Sequence, residues 1–507
     1  MNLPEWLEPL PDASEQRSLD EWAIEQLGIP GLDLMERAGG GLAELVAERA
    51  PSGRIVVVCG KGNNGGDGLV AGRVLRERGR EVVVASLAPP EEFRGDAKSN
   101  LERLPGDPPV AFSAELLDGA AAIVDAIVGT GFSDEPREPA RGAIEAINHA
   151  DGEVIACDVP SGVDGSSGEV ASCAVRASAT ASFHAAKPGL WIAPGKWHAG
   201  EVRVVDIGIP AGGPARPSIG LVGDRVKGEL PRRGAESTKF AAGSVLVCGG
   251  SRGLTGAPCL AAESAMRAGA GYVTAAIPAS LNPIFESRLL EVMTAPLPDA
   301  DASLPREAVD HALARAERVD AVVLGPGLGR ADGSFDFARE LAHRLELSLL
   351  IDADGLNAHA GELAALAKRS APTVLTPHAG ELGRLLEVPT AEVGRRRLHH
   401  ARAAARAARA VVVLKGDDTL IADPDGRVGV SRGGSAALAT AGTGDVLSGV
   451  IGALLAKRID AFTAACAGVL LHAEAGRLAA RAIGPEGVIA RDVIEALPRA
   501  LAANGER

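Results

Sequence analysis

The feature that most constrains this chain is an alternation that runs through most of it, in which short β-branched runs are followed by amphipathic segments of helical length. Strands of that composition are apolar on both faces and need helices on either side, so the rhythm predicts parallel sheets covered by helices. Strands are expected at 54–59 (RIVVVC), 81–86 (EVVVAS), 121–128 (AAIVDAIV), 153–157 (EVIAC) and 202–207 (VRVVDI). Between Pro210 and Gly220 the rhythm breaks in a Pro- and Gly-rich stretch, the expected linker. It restarts at 244–248 (SVLVC), 321–325 (AVVLG), 349–352 (LLID), 373–376 (TVLT) and 411–415 (VVVLK). With 507 residues, the reading is two α/β domains, 1–215 and 216–507.

A net charge of -14 argues against generic binding to nucleic acid or to an anionic membrane, both of which depend on a basic surface. There is no apolar run long enough to span a bilayer. The opening MNLPEWLEPLPDASEQ has neither a basic nor an apolar signal region, and the six scattered cysteines form no CxxC pair. Buried free thiols in a reducing, cytoplasmic setting are expected. The basic segment Arg395 to Ala410 reads as a solvated helix face, and the adjacent His399 and His400 lack the spacing of a helical metal pair.

Two glycine-rich turns carry the chemistry. The first expected strand runs into GKGNNGGDG (Gly60 to Gly68), with a helix expected from Leu69. A strand, a glycine turn and a helix N-terminus present backbone N–H groups to an anion. This turn is neither the dinucleotide GxGxxG nor a Walker loop, and the glycines' conformational freedom does not account for Asn63, Asn64 and Asp67. VDAIVGTG and DVPSGVDG place Asp125, Asp158, Ser161 and Asp164 near two further strand ends. In an open α/β sheet such ends line one crevice, where Asn64, Asp125 and Ser161 could converge on a hard cation.

These motifs, with LDEWAIEQLGIPGLDLMERAG upstream, resemble the N-terminal domain of the NAD(P)H-hydrate epimerase family over roughly residues 15 to 210. The resemblance implies a Rossmann-like α/β/α sandwich that interconverts the R and S forms of hydrated NADH or NADPH. It implies substrate contacts at Asn63, Asn64, Gly65, Gly66, Asp67, Gly129, Thr130, Gly131, Phe132, Ser133, Asp134, Glu135 and Asp158. It also implies potassium on Asn64, Asp125 and Ser161, with Asp158 and Asp125 as acid–base candidates. Asp134 and Glu135 make the loop after GTG unexpectedly acidic.

The second turn lies in RGGSAALATAGTGDVLSG (Arg432 to Gly449). Backbone N–H groups of Gly442 to Gly444 could stabilise charge on a transferring phosphoryl group, and Asp445 could take the proton of an attacking hydroxyl. LGPGLG, TPHAGE and LKGDDT add polar turns at other strand ends. From about residue 220 to 507 these motifs, with IDADGLN, resemble the NAD(P)H-hydrate dehydratase family of the ribokinase-like superfamily. The resemblance implies phosphorylation of the hydrate's ring hydroxyl by ADP or ATP with magnesium, then loss of phosphate. It implies hydrate contacts at Ala257, Gly327, His378 and Asp445, the last as base. Adenine-nucleotide contacts are implied at Lys415, Gly416, Asp417, Asp418, Thr419 and Gly444, and a homo-oligomer is expected. Ser435 stands where the family pattern has Asn, and TKFAAG replaces its Lys-Gly turn. Two other readings stay open at this point: a ribokinase-like small-molecule kinase with an accessory first domain, and a non-catalytic binding scaffold.

Overall fold

The computed structural model describes residues 3–236 and 238–502. They form two compact units, one of Leu3 with Pro9–Ile219, the other of Pro4–Glu8 with the chain from Gly220 onward. No helix among the described residues is long and apolar enough to cross a membrane.

In the first unit the described residues form a seven-stranded sheet. Its order is Val110–Ala111, Val82–Ser86, Ile55–Cys59, Ala122–Ala126, Glu153–Cys157, Ala179–Phe183 and Glu201–Val205, every pair parallel. Alternate side chains of a strand face opposite sides, and Ile55–Cys59 feeds two cores in this way. Ile55, Val57 and Cys59 pack with Leu42, Leu69 and Leu75 of two helices, while Val56 and Val58 pack with Ile144 and Ile147 of another. The sheet therefore has helices on both faces, as the apolar runs require. The strand Ala179–Phe183 was not anticipated, because ATASF carries no β-branched run.

One expectation needs correcting. The helix after the first strand spans Asn63–Glu77, so the NNGGD motif is its first turn and not a loop before it. That turn packs too tightly for side chains: a Cβ on Gly65 would lie 1.8 Å from the carbonyl oxygen of Gly60. Gly65→Ala is expected to cost about 1–3 kcal/mol through overpacking. An unchanged urea midpoint would show that the turn tolerates the methyl group.

In the second unit seven parallel strands run in the order Val411–Leu414, Thr373–Leu375, Ser348–Ile351, Ala321–Leu324, Ser244–Cys248, Tyr272–Pro278 and Met293–Leu297. Leu420–Ala422 and Val428–Ser431 continue the sheet antiparallel, followed by Ile219–Val222 and Leu7–Pro9. The helix Thr443–Ala456 packs on the strand Ala321–Leu324 and on the helix Gly256–Arg267. The basic segment near residue 400 is also corrected. It forms a helix, Arg397–Ala408, whose Arg397 and His400 are buried instead of solvated.

Two candidate active sites at strand ends

The first site is a cavity of about 810 Å³ lined by residues that include Gln16, Asp20, Asn63, Asn64, Asp67, Gly129, Thr130, Gly131, Phe132, Asp158 and Lys187. Eight of the residues offered to the substrate from sequence meet here: Asn63, Asn64, Asp67, Gly129, Thr130, Gly131, Phe132 and Asp158. Gly65 and Gly66 do not line it and instead pack against Gly60 and Met35. Ser133, Asp134 and Glu135 also lie outside the lining and are exposed, so the acidic pair is solvated.

Asp158 follows the strand Glu153–Cys157 in a left-handed backbone conformation, φ 63°. Its Oδ1 receives the ammonium of Lys187 at 2.7 Å, and its Oδ2 receives the N–H of Thr130 at 3.3 Å and the Thr130 hydroxyl. Burial pushes this carboxyl up, but Lys187 and Thr130 more than offset it and hold it below the usual carboxylate range. Asp67 goes the other way. Burial, reinforced by the charges of Asp158 and Asp20, raises it well above that range. The sequence reading missed Lys187, which sits in a plain HAAKPGL turn and gives no local motif.

Asp125, offered from sequence as an acid–base group, is fully buried and outside the cavity lining. Its carboxylate accepts the Ser161 N–H at 2.8 Å and the Ser161 hydroxyl at 2.6 Å. It is thus enclosed by its own hydrogen bonds, whereas Asp158 is open to the cavity. Burial pushes it up to about 6 despite the bonds from Ser161. Both polar atoms of the Asn64 amide are buried without a hydrogen-bond partner among the described residues. An orphaned buried amide oxygen is a donor that suits a monovalent cation.

The second site gathers at the carboxyl ends of parallel strands. Asp352 directly follows Ser348–Ile351 and Lys415 directly follows Val411–Leu414. Lys415 Nζ is 2.9 Å from Asp352 Oδ1 and 3.7 Å from Glu381 Oε2, and Ser448 Oγ donates to Asp352 Oδ2 at 2.6 Å. Burial raises Asp352, but Lys415 and Ser448 outweigh it and keep the carboxyl low. Burial also opposes the charge on Lys415, which Asp352 and Glu381 restore and hold above its usual value. Asp445 lies in the first turn of the helix Thr443–Ala456, and Gly442 at the cap adopts φ 90°, which favours glycine. Burial and the charge of Asp352 push Asp445 up to about 7, with Lys415 opposing. A Cβ on Gly444 would lie 3.6 Å from Lys415 Nζ, so the ammonium stands beside the first turn of this helix. Ammonium and helix N-terminus thus stand together, with Asp445 alongside.

The other offered residues fall in several places. A Cβ on Gly327, φ 64°, would lie 2.3 Å from the Leu254 carbonyl oxygen and 3.3 Å from the Ala257 side chain. His378 caps the helix Ala379–Leu386, its Nδ1 accepting the Gly380 N–H at 2.9 Å, with Glu381 closing the capping box. Burial lowers the His378 pKa, in keeping with Nδ1 as an acceptor. Ser435 caps the short helix Ala436–Leu438, supplying a side-chain cap as Asn would. Gly416 and Asp417 are exposed, but Asp418 and Thr419 turn inward. Asp418 was offered to the nucleotide; its carboxylate instead accepts Arg397 Nε at 2.8 Å in a buried ion pair. Thr419 Oγ1 bonds the Gly416 carbonyl at 2.6 Å, within its own turn. Removing one member of a buried pair strands the other, so Arg397→Ala is expected to cost about 3–5 kcal/mol. The check is the shift in denaturant midpoint; a loss below about 1 kcal/mol, the scale of an exposed pair, would mean that water screens this one.

Two largely parallel sheets, each with a polar crevice at its strand ends, define the class: an α/β enzyme of two compact units. A family model described as the YjeF-related protein N-terminus matches residues 31–189, and one described as NAD(P)H-hydrate dehydratase matches residues 245–499. The bifunctional NAD(P)H-hydrate repair enzyme of Moorella thermoacetica is 40% identical over 507 residues, covering 96% of each chain. That of Salinibacter ruber is 38% identical over 523 residues, covering 97% of this chain and 96% of its own. The ADP/ATP-dependent NAD(P)H-hydrate dehydratase of Bacillus subtilis, crystallised with ATP and magnesium, is 29% identical, covers 56% of this chain and 97% of its own, and has a TM-score of 0.49. The chain belongs to the family of bifunctional NAD(P)H-hydrate repair enzymes.

Proposed function

We propose that this chain repairs hydrated NADH and NADPH, with residues 1–215 interconverting the R and S hydrates and residues 216–507 dehydrating the S form at the expense of ADP or ATP. The observation that carries the reading is the pairing of both crevices in one chain, 96% of which its Moorella relative covers.

In the second unit Asp445 takes the proton of the ring hydroxyl as that oxygen attacks the terminal phosphoryl group. Lys415 and the first turn at Gly444 receive the developing phosphate charge, while Ala257, Gly327 and His378 hold the hydrate. Lys415, Gly416 and Asp417 hold the nucleotide, and Asp352 keeps the Lys415 ammonium in place. Phosphate is a far better leaving group than hydroxide, so its departure restores the reduced ring. Magnesium would bind the nucleotide's phosphates and neutralise their charge.

In the first unit Asp158 moves the proton between hydrate faces, and the NNGGD turn and the GTG loop hold the dinucleotide. Asn64, Asp125 and Ser161 would hold potassium, whose charge would neutralise the desolvated Asp125. Epimerisation is expected to be sharply slower in tetramethylammonium than in potassium buffer, and Asp125→Ala should lose that difference. Equal rates in both buffers would remove the ion from the reading. Six free cysteines support a reducing, cytoplasmic setting. The closed symmetry common among such proteins supports a homo-oligomer, which light scattering would measure.

The test is recovery of reduced-nicotinamide absorbance from mixed hydrates with magnesium, potassium and either nucleotide. Recovery that needs nucleotide and consumes both epimers supports both halves; a stable phosphorylated product without recovery would make the second unit a kinase.

A further inference from the structure

A lysine with 1% of its side chain exposed is unfavourable unless its charge is met. Lys187 Nζ has three N–H donors and three acceptors: Asp158 Oδ1 at 2.7 Å, the Phe183 carbonyl at 2.7 Å and Ser182 Oγ at 3.3 Å. No donor is left for a ligand, so this ammonium acts on the cavity only through Asp158. The left-handed backbone at Asp158 and the two bonds from Thr130 fix the same carboxylate from its other side. Asp67 lines the same cavity with no ion-pair partner among the described residues.

We propose that Lys187 is a positioning residue for epimerisation: it fixes Asp158 as the carboxylate that takes a proton and thereby leaves Asp67 as the group that gives one. This rests on reading the first unit as the epimerase. The opposite displacements of the two carboxyl groups agree with the geometry, since pairs whose environments drive them apart divide acid and base roles. The ionisable groups facing Asp158 are Lys187 after the strand Ala179–Phe183, Asp67 on the helix Asn63–Glu77, Asp20 on the helix Ala13–Glu25, and Cys157 on its own strand; His184 acts on Lys187.

Hydration of an enamine ring puts the hydroxyl on the carbon next to the ring nitrogen. Asp67 protonates that hydroxyl, and the C–O bond breaks with its electron pair leaving on water. The nitrogen lone pair forms C=N. Water then adds to the opposite face, the C=N pair returns to nitrogen, and the added water's proton goes to Asp158. Transfer through solvent from Asp158 back to Asp67 closes the cycle, with no change in oxidation state.

The experiment uses the full chain and R hydrate. Lys187→Met is expected to lower epimerisation kcat at neutral pH by about 100-fold or more, with KM changed by less than about threefold. Its acid limb should move to higher pH, because Asp158 loses the charge that keeps it ionised. Lys187→Arg should recover most of the rate. In an Asp158→Asn background, Lys187→Met should cost nothing further, because a residue that works only through another is not additive with it. Nucleotide-dependent dehydration of S hydrate by the same preparations checks that each variant is intact in its second activity. An unchanged kcat in Lys187→Met, a pH-independent loss that Arg does not restore, or a full additional loss on Asp158→Asn overturns the proposal alone. A wild-type chain that does not interconvert the epimers overturns the epimerase reading and this proposal with it.

Discussion

Asp445→Ala is expected to lower nucleotide-dependent recovery of reduced nicotinamide by about 100- to 10,000-fold in kcat, the range for losing a general base. The nucleotide KM should hardly move, because Lys415 and the helix N-terminus that would hold the phosphates remain in place. The pH profile adds a second expectation of definite sign. With Asp445 near 7, the base form exists above that value and is lost as pH falls through it. The rate should therefore be level at alkaline pH and fall about tenfold per unit well below 7. Removing Lys415 should move the limb to higher pH, since its charge opposes the rise. A flat profile from pH 5 to 8 with an active Asp445→Ala enzyme would take the base assignment away from Asp445.

The second large effect is expected at Asp158. Asp158→Asn preserves shape and the contacts with Thr130 but removes the charge that Lys187 meets. Epimerisation should fall by about 100- to 10,000-fold in kcat, while dehydration of pure S hydrate proceeds at the wild-type rate. With mixed hydrates the variant should therefore recover only the S fraction, leaving R hydrate behind. Stranding Lys187 in a buried setting should also destabilise the first unit by about 3–5 kcal/mol, so the assay belongs at low temperature with a folding check. Complete consumption of R hydrate at the wild-type rate would sink the assignment.

How much of this was legible beforehand can be traced residue by residue. The strands Glu153–Cys157 and Ser244–Cys248 begin and end where the sequence places them, because four successive residues of each are buried on both faces. Ala179–Phe183 escaped notice because a small-residue strand has no such run. The NNGGD turn was placed before the helix instead of inside it, since glycines read locally as a loop and only the close approach of Gly65 to Gly60 explains them as helical. Asp445 stood out because its turn and cap are contiguous in sequence. Asp352 and Lys187 did not, since their partners lie 63 and 29 residues away.

Sequence alone determined the α/β class, the pair of glycine-rich turns, and the resemblance from which both activities follow, because these depend on local composition, periodicity and contiguous motifs. Tertiary structure decided in which direction each carboxyl group is shifted. Asp67, Asp125, Asp158, Asp352 and Asp445 are the same residue type in the sequence. They diverge only when folding takes each of them out of water to a different extent and brings Lys187 to Asp158 and Lys415 to Asp352. The desolvation of a charge and its partner's distance are properties of packing in space, and neither is written in the order of residues along the chain.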